Sequence, residues 1–117
     1  MVFSIFRSLL FALILITTVV SQSFAYEVVQ VCARYLNSNK AYTVEAQVYD
    51  GGDLNRRTNS FNYDYFSTYV VIFWAQGQAT VIDMGSLIGG TIGPFGARGT
   101  DQQGRPWEVR EGHLFCF

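Results

Sequence analysis

Ala41-Tyr42-Thr43-Val44-Glu45-Ala46-Gln47-Val48-Tyr49 alternates apolar and polar side chains with a period of two. Tyr42, Val44, Ala46 and Val48 fall on one side of an extended chain and Thr43, Glu45 and Gln47 on the other, the pattern of a half-buried strand. The stretch before it does the same, with Val29, Val31, Ala33 and Tyr35 on one face. Between them lies Asn37-Ser38-Asn39-Lys40, residue types that tolerate turn geometry. The two runs read as an antiparallel hairpin, and they decide the fold class.

The rhythm continues downstream. Residues 69–75 (YVVIFWA) are apolar on both faces and rich in β-branched and aromatic side chains. They are expected at the centre of the sheet, covered on one side by sheet and on the other by a loop or a partner. Gln76-Gly77 turns this run into 78–84, a tight hairpin in which glycine supplies the positive φ. Residues 61–68 are expected as a strand with Phe61, Tyr63 and Tyr65 on one face and Asn62 and Asp64 on the other. Residues 51–60 (GGDLNRRTNS) read as a polar loop. Glycines 85, 89, 90, 93, 96 and 99 with Pro94 predict a wandering loop or short kinked strand pieces. Residues 101–104 form a turn, 105–110 a strand with Trp107 and Val109 on one face, and 113–117 a last strand after Glu111-Gly112. The sum is an all-β domain without a long helix, a small antiparallel barrel or sandwich of about six to seven strands.

The first 25 residues read as a targeting segment. Arg7 precedes an uncharged apolar run, 9–20, and a short polar stretch ends in small residues at Ser23 and Ala25. Cleavage is predicted after Ala25, leaving residues 26–117 as a single domain, secreted or periplasmic. An uncleaved anchor is the alternative, because a membrane span needs roughly 20 apolar residues and 2–20 nearly supplies them around Arg7. After cleavage no stable membrane insertion is expected. The only two cysteines, Cys32 and Cys116, lie near the ends of the domain. In an oxidising compartment they are expected to pair, tying the first strand to the last and helping the sheet close on itself.

Losing Arg7 takes the basic count from 8 to 8 − 1 = 7, against 9 acids, a net charge of −2. A weakly acidic domain lacks the electrostatic footprint of a nucleic-acid binder. Catalytic chemistry is poorly supplied. A serine triad would have to use His113, the only histidine, and no Gly-x-Ser-x-Gly elbow accompanies it. Asp50, Asp53 and Asp64 flank one loop and Glu108 and Glu111 another, but a filled barrel leaves little room for a sugar cleft between paired carboxylates. The glycines of 90–96 lead into neither a helix nor a lysine, as a phosphate loop would. No enzyme, cofactor or metal site is expected.

What remains is a binding surface. Phe61, Tyr63 and Tyr65 beside Arg56 and Arg57 form one candidate, and Arg98, Arg105 and Trp107 another, since arginine and aromatic residues are favoured interface anchors. The tail Gly96-Ala97-Arg98-Gly99 … Trp107 … Arg110-Glu111-Gly112 resembles the end of the c-type lysozyme inhibitor family of bacterial envelopes. That resemblance implies a small exported barrel with a disulfide, using a Gly-rich Arg-containing stretch and a Trp strand. The spacing departs from the family's, and Arg110-Glu111-Gly112 replaces its Lys-Gly turn. The expectation is therefore a non-enzymatic binding or inhibitory module with a protein or glycan ligand. The alternative is an assembly protein that self-associates through the apolar strand 69–75.

Overall fold

The computed structural model describes residues 26–112 and Cys116. The predicted leader and the predicted last strand therefore lie outside the described residues, except that Cys116 itself belongs to no strand. Six strands run in order: β1 (Tyr26–Tyr35), β2 (Lys40–Asp50), β3 (Thr68–Ala75), β4 (Gln78–Asp83), β5 (Ala97–Asp101) and β6 (Pro106–Glu111). Helix α1 (Gly51–Thr58) joins β2 to β3, and a 3₁₀ turn (Ile88–Gly90) lies between β4 and β5. Each strand pairs antiparallel with the next, and β6 returns to β1 from Val31↔Glu111 to Tyr35↔Trp107, closing a barrel.

The alternating faces read from the sequence become the barrel lining. Val31 and Ala33, Ala46 and Val48, Val70 and Ile72, Ile82, Trp107 and Val109 form one buried cluster. Each such large side chain, fully buried, contributes about 1.5–3 kcal/mol. Gly99 faces Trp107 across the β5–β6 ladder. A Cβ there would stand 2.7 Å from Ile82 Cγ2 and Met84 Sδ, so only glycine lets β5 close against β4. Cys32 bonds to Cys116 with a Cα–Cα distance of 5.2 Å, the pairing expected from the sequence.

A second, smaller cluster sits outside the barrel wall. Tyr49, Leu54, Tyr69 and Val71 are buried together, with Tyr26, Tyr63, Ala79 and Val81 packed around them. The outer face of 69–75 is thus covered over its first half by the chain's own helix, and Phe73 beyond it is exposed.

Two sequence expectations need correction here. Residues 51–58 are helical, not loop. Their composition hides this, because glycines at the start and Asn55 within are weak helix formers. The caps decide instead: Asp50 Oδ1 accepts from the Asp53 N–H at 2.7 Å, and Asn59 ends the helix in the left-handed region at φ 53°. Gly51 and Gly52 are there for close packing, since a Cβ on Gly51 would overlap the Asp64 carbonyl and one on Gly52 the Tyr65 ring. Residues 61–67 are turns and bends rather than a strand. Asn55 clamps both backbone groups of Tyr63, donating to its O and accepting from its N at 2.9 Å each. That side-chain amide takes the place of a strand partner. The described strands accordingly number six, at the lower bound of the range.

Candidate functional site

The barrel has two unlike ends. At one, the mouth, short turns at 36–39, 76–77 and 102–105 close three hairpins. The inward faces of the strands do not stop at the aliphatic core but run up into this mouth. β1 ends inward on Tyr35, β2 begins on Tyr42, β3 adds Trp74 above Ile72, β4 adds Thr80, and β6 begins with Trp107. With Arg105 they line a hollow of about 280 Å³. The rings touch in sequence: Tyr42 to Trp74 at 5.0 Å between centroids, Trp74 to Trp107 at 6.3 Å, and Trp107 to Tyr35 at 5.2 Å.

Polar contacts fix the walls. The Trp74 indole N–H donates to Thr80 Oγ1 at 2.8 Å. Asp101 is the organiser on the other side. Its Oδ2 accepts from Trp107 Nε1 at 3.0 Å and Arg105 Nε at 2.8 Å, and its Oδ1 accepts from the backbone N–H groups of Gln103 and Arg105 at 2.9 Å each. Burial alone would raise its carboxyl pKa, but these donors outweigh it and hold the group below the ordinary 3.8. The Arg105 guanidinium also lies over the Tyr35 ring, 5.6 Å from its centroid. Tyr35, Arg105 and both tryptophans are thus held before any ligand arrives.

The wall beside the mouth is thin where β4 meets β5, with only Ile82↔Asp101 and Asp83↔Thr100 paired. Gln102 extends it: its Oε1 accepts from Val81 N and its Nε2 donates to Ala79 O, both at 2.9 Å. A side-chain amide again does the work of a strand, here satisfying an otherwise open edge.

The far end is built from α1 and the long connections 51–67 and 84–96. Arg56 pairs with Asp53. Arg57 sits beside the Tyr49 hydroxyl, whose pKa burial pushes up against the opposing pull of that guanidinium. Phe61 is 99% exposed and Phe66 81% exposed, while Tyr65 stacks edge-on with Phe66. A hollow of about 300 Å³ lies between α1 and the Phe61 and Tyr65 rings.

Each predicted site residue now has a place. Arg105 and Trp107 come together at the mouth. Arg98 does not join them: it points outward, 3.8 Å from Glu108, whose carboxylate also meets Arg34 and Arg110. Phe61 and Tyr65 are exposed near Arg56 and Arg57, but Tyr63 turns in against Tyr69, with centroids 5.1 Å apart. The single face expected of Phe61, Tyr63 and Tyr65 is therefore split, because the segment is not a strand. Tyr35, Tyr42, Trp74, Thr80 and Asp101 were missed as site residues. The sequence did carry a signal for them: the inward alternation extends past the aliphatic residues, and Asp101 precedes Arg105 and Trp107 by a turn's length.

Charge divides between the ends. Residues 35–40, 75–78 and 101–106 hold Lys40 and Arg105 against Asp101, or 2 − 1 = +1. Residues 26–27, 50–68, 83–97 and 111–112 hold Arg56 and Arg57 against Glu27, Asp50, Asp53, Asp64, Asp83 and Glu111, or 2 − 6 = −4. Among the described residues no group of three or more His, Cys, Asp or Glu is placed to hold a metal ion, and no helix is long and apolar enough to cross a membrane.

The sequence matches no protein-family profile, and neither a curated protein nor a solved structure is significantly similar to it. What fold and site define is a small closed antiparallel barrel of six strands, bridged by one disulfide, with an aromatic mouth.

Proposed function

We propose that the chain is an exported, non-enzymatic binding or inhibitory module whose ligand seat is the barrel mouth. One observation carries the reading: Tyr35, Tyr42, Trp74 and Trp107 form a concave, apolar surface whose two tryptophans are fixed in place by hydrogen bonds. Concave aromatic pockets with a few placed polar groups are the usual form of a ligand site. The disulfide fits an oxidising compartment, and export follows if the leader is cleaved after Ala25. The carboxylate at the mouth, Asp101, already accepts four hydrogen bonds and is no base in waiting. Self-association through 69–75 drew on the second apolar face of that strand, and the cluster around Leu54 covers its first half, leaving Phe73 exposed.

The test is to immobilise the protein and screen it against a glycan array and an envelope extract, beside a Trp74→Ala variant. Saturable capture of one ligand that the variant loses supports the reading. Capture unaffected by Trp74→Ala, or no capture at all, overturns it. Amino-terminal sequencing of the secreted product should begin at Tyr26, and an intact leader would contradict export by cleavage.

A further inference from the structure

We infer that the mouth takes an acidic saccharide, a pyranose ring that carries a carboxylate. This rests on the mouth being a ligand seat. The rings argue first. Enclosing a flat ring between two others takes about 7 Å, twice the spacing of carbon atoms in contact. Trp74 and Trp107 stand 6.3 Å apart at 29°, and their neighbours are closer still, so nothing flat slides between them. Trp74, 37% exposed, is the open part of the floor on which a ligand lies, while Trp107, 5% exposed, backs it and Tyr42 stands edge-on to Trp74 at 67°. The C–H face of a pyranose suits such a floor, its slightly positive hydrogens meeting the negative faces of the rings.

Polar groups at the same place argue for hydroxyls and a carboxylate. Thr80 Oγ1 accepts from Trp74, which leaves its own proton to be donated. The described contacts of Arg105 use Nε and the flat of the guanidinium, so its two terminal nitrogens remain as a fork matched to a carboxylate. The negative charge of Asp101 is buried beneath it, with a side chain 0% exposed. Lys40, paired with Tyr35 at the start of β2, adds an exposed cation on the rim. The mouth is thus the positive end of a negative domain, an arrangement that steers anions toward it. A carboxylate borne by an aromatic residue, such as a C-terminal phenylalanine, would satisfy Arg105 but leave the hydroxyl-bearing wall unused.

Both tryptophans of the sequence line this hollow, so tryptophan fluorescence reads it directly. The full-chain protein is titrated with trigalacturonate, neutral maltotriose and N-acetylphenylalanine. A saturable change is expected with trigalacturonate, and binding of maltotriose weaker by about tenfold or more, the worth of one charge-assisted hydrogen bond. Arg105→Gln should remove that preference. Because Arg105 also braces Asp101, Lys40→Gln serves as the variant that leaves the fold alone. It should weaken trigalacturonate by about two- to fivefold and reduce the salt dependence. Equal affinity for both saccharides overturns the acidic preference, and tighter binding of N-acetylphenylalanine than of either overturns the saccharide class. No response to trigalacturonate overturns the inference entirely. The mouth as a ligand seat falls separately, by the capture experiment, if capture is absent or proves independent of Trp74.

Discussion

The mouth and the far end of this barrel solve the same problem, how to finish a sheet, in opposite ways. At the mouth the connections are short, and the strands' own inward side chains stay in register to the rim, so Tyr35, Tyr42, Trp74 and Trp107 face one another. At the far end the connections are long, and their aromatic residues divide between an outer core and solvent. Tyr63 packs on Tyr69, while Phe61, Phe66 and Phe95 are almost fully exposed. Charge follows the same division, +1 against −4. The lesson is that short turns preserve the alternation of the strands and so build a concave site. Long connections break it and divide the same residue types between an outer core, a hollow of about 300 Å³ beside α1, and open solvent.

Four experiments can break or sharpen this contrast. The largest effect is expected from replacing Cys32 and Cys116 together with serine. A bridge closing 84 residues is worth about 4–5 kcal/mol in the chain-entropy account, and Tm should fall by about 15 °C or more. Both ends should loosen together, because the bridge ties Cys32, which lies in the β1–β6 ladder that closes the barrel, to the chain beyond β6. A melt in which only one end opens would show the ends to be independent units.

Asp101→Asn should cost about 3 kcal/mol, the scale for breaking a buried charged pair, and hydrogen exchange should quicken at 101–107 but not at 51–66. The pH dependence has a definite sign. The folded pKa of Asp101 lies below 3.8, so its charge stabilises the fold fully above that value and the contribution is lost as pH falls toward the folded pKa. The stability gap between wild type and Asp101→Asn should hold constant from neutrality to about pH 5 and narrow below about pH 4. A gap that widens with acid would contradict the network described for Asp101.

Leu54→Ala addresses the opposite end. It removes the buried anchor of α1 at about 2–3 kcal/mol, and tryptophan fluorescence at the mouth should not change. Transmission of that loss to the mouth would abolish the separation of the ends. The smallest effect is expected from Phe61→Ser with Phe66→Ser, within about 0.5 kcal/mol by chemical denaturation. A larger loss would mean these rings are covered in solution.

How far the sequence could be read follows from the same contrast. Where alternation governs, in β1 and β2 above all, the core face was legible residue by residue. Gly77 takes its positive φ of 77° at the predicted hairpin turn, and Asn39 takes 58° in the first one. The Cys32–Cys116 closure was legible too, from the expected oxidising compartment and the positions of the two cysteines. Helix α1 was not, because its evidence is in caps and neighbours: Asp50, Asn59, and two glycines required by the chain passing over them. Residues 61–67 carry a period of two by composition, yet Asn55 captures the backbone of Tyr63 and the segment cannot join the sheet. At the mouth, Arg105 and Trp107 were picked out as surface anchors. Their true setting depends on Asp101, a turn residue whose carboxylate gathers four donors only once the hairpin has formed.

The central claim is that the ligand seat is the mouth and not the hollow beside α1 at the far end. Amide chemical-shift mapping of the full-chain protein tests it most directly, using a panel of simple saccharides, amino acids and aromatic acids at millimolar concentration. The account predicts that responding amides cluster at 35–42, 74–80 and 101–107, with 51–66 and 84–96 unmoved. Shifts concentrated at 51–66, around Phe61 and Tyr65, would contradict it.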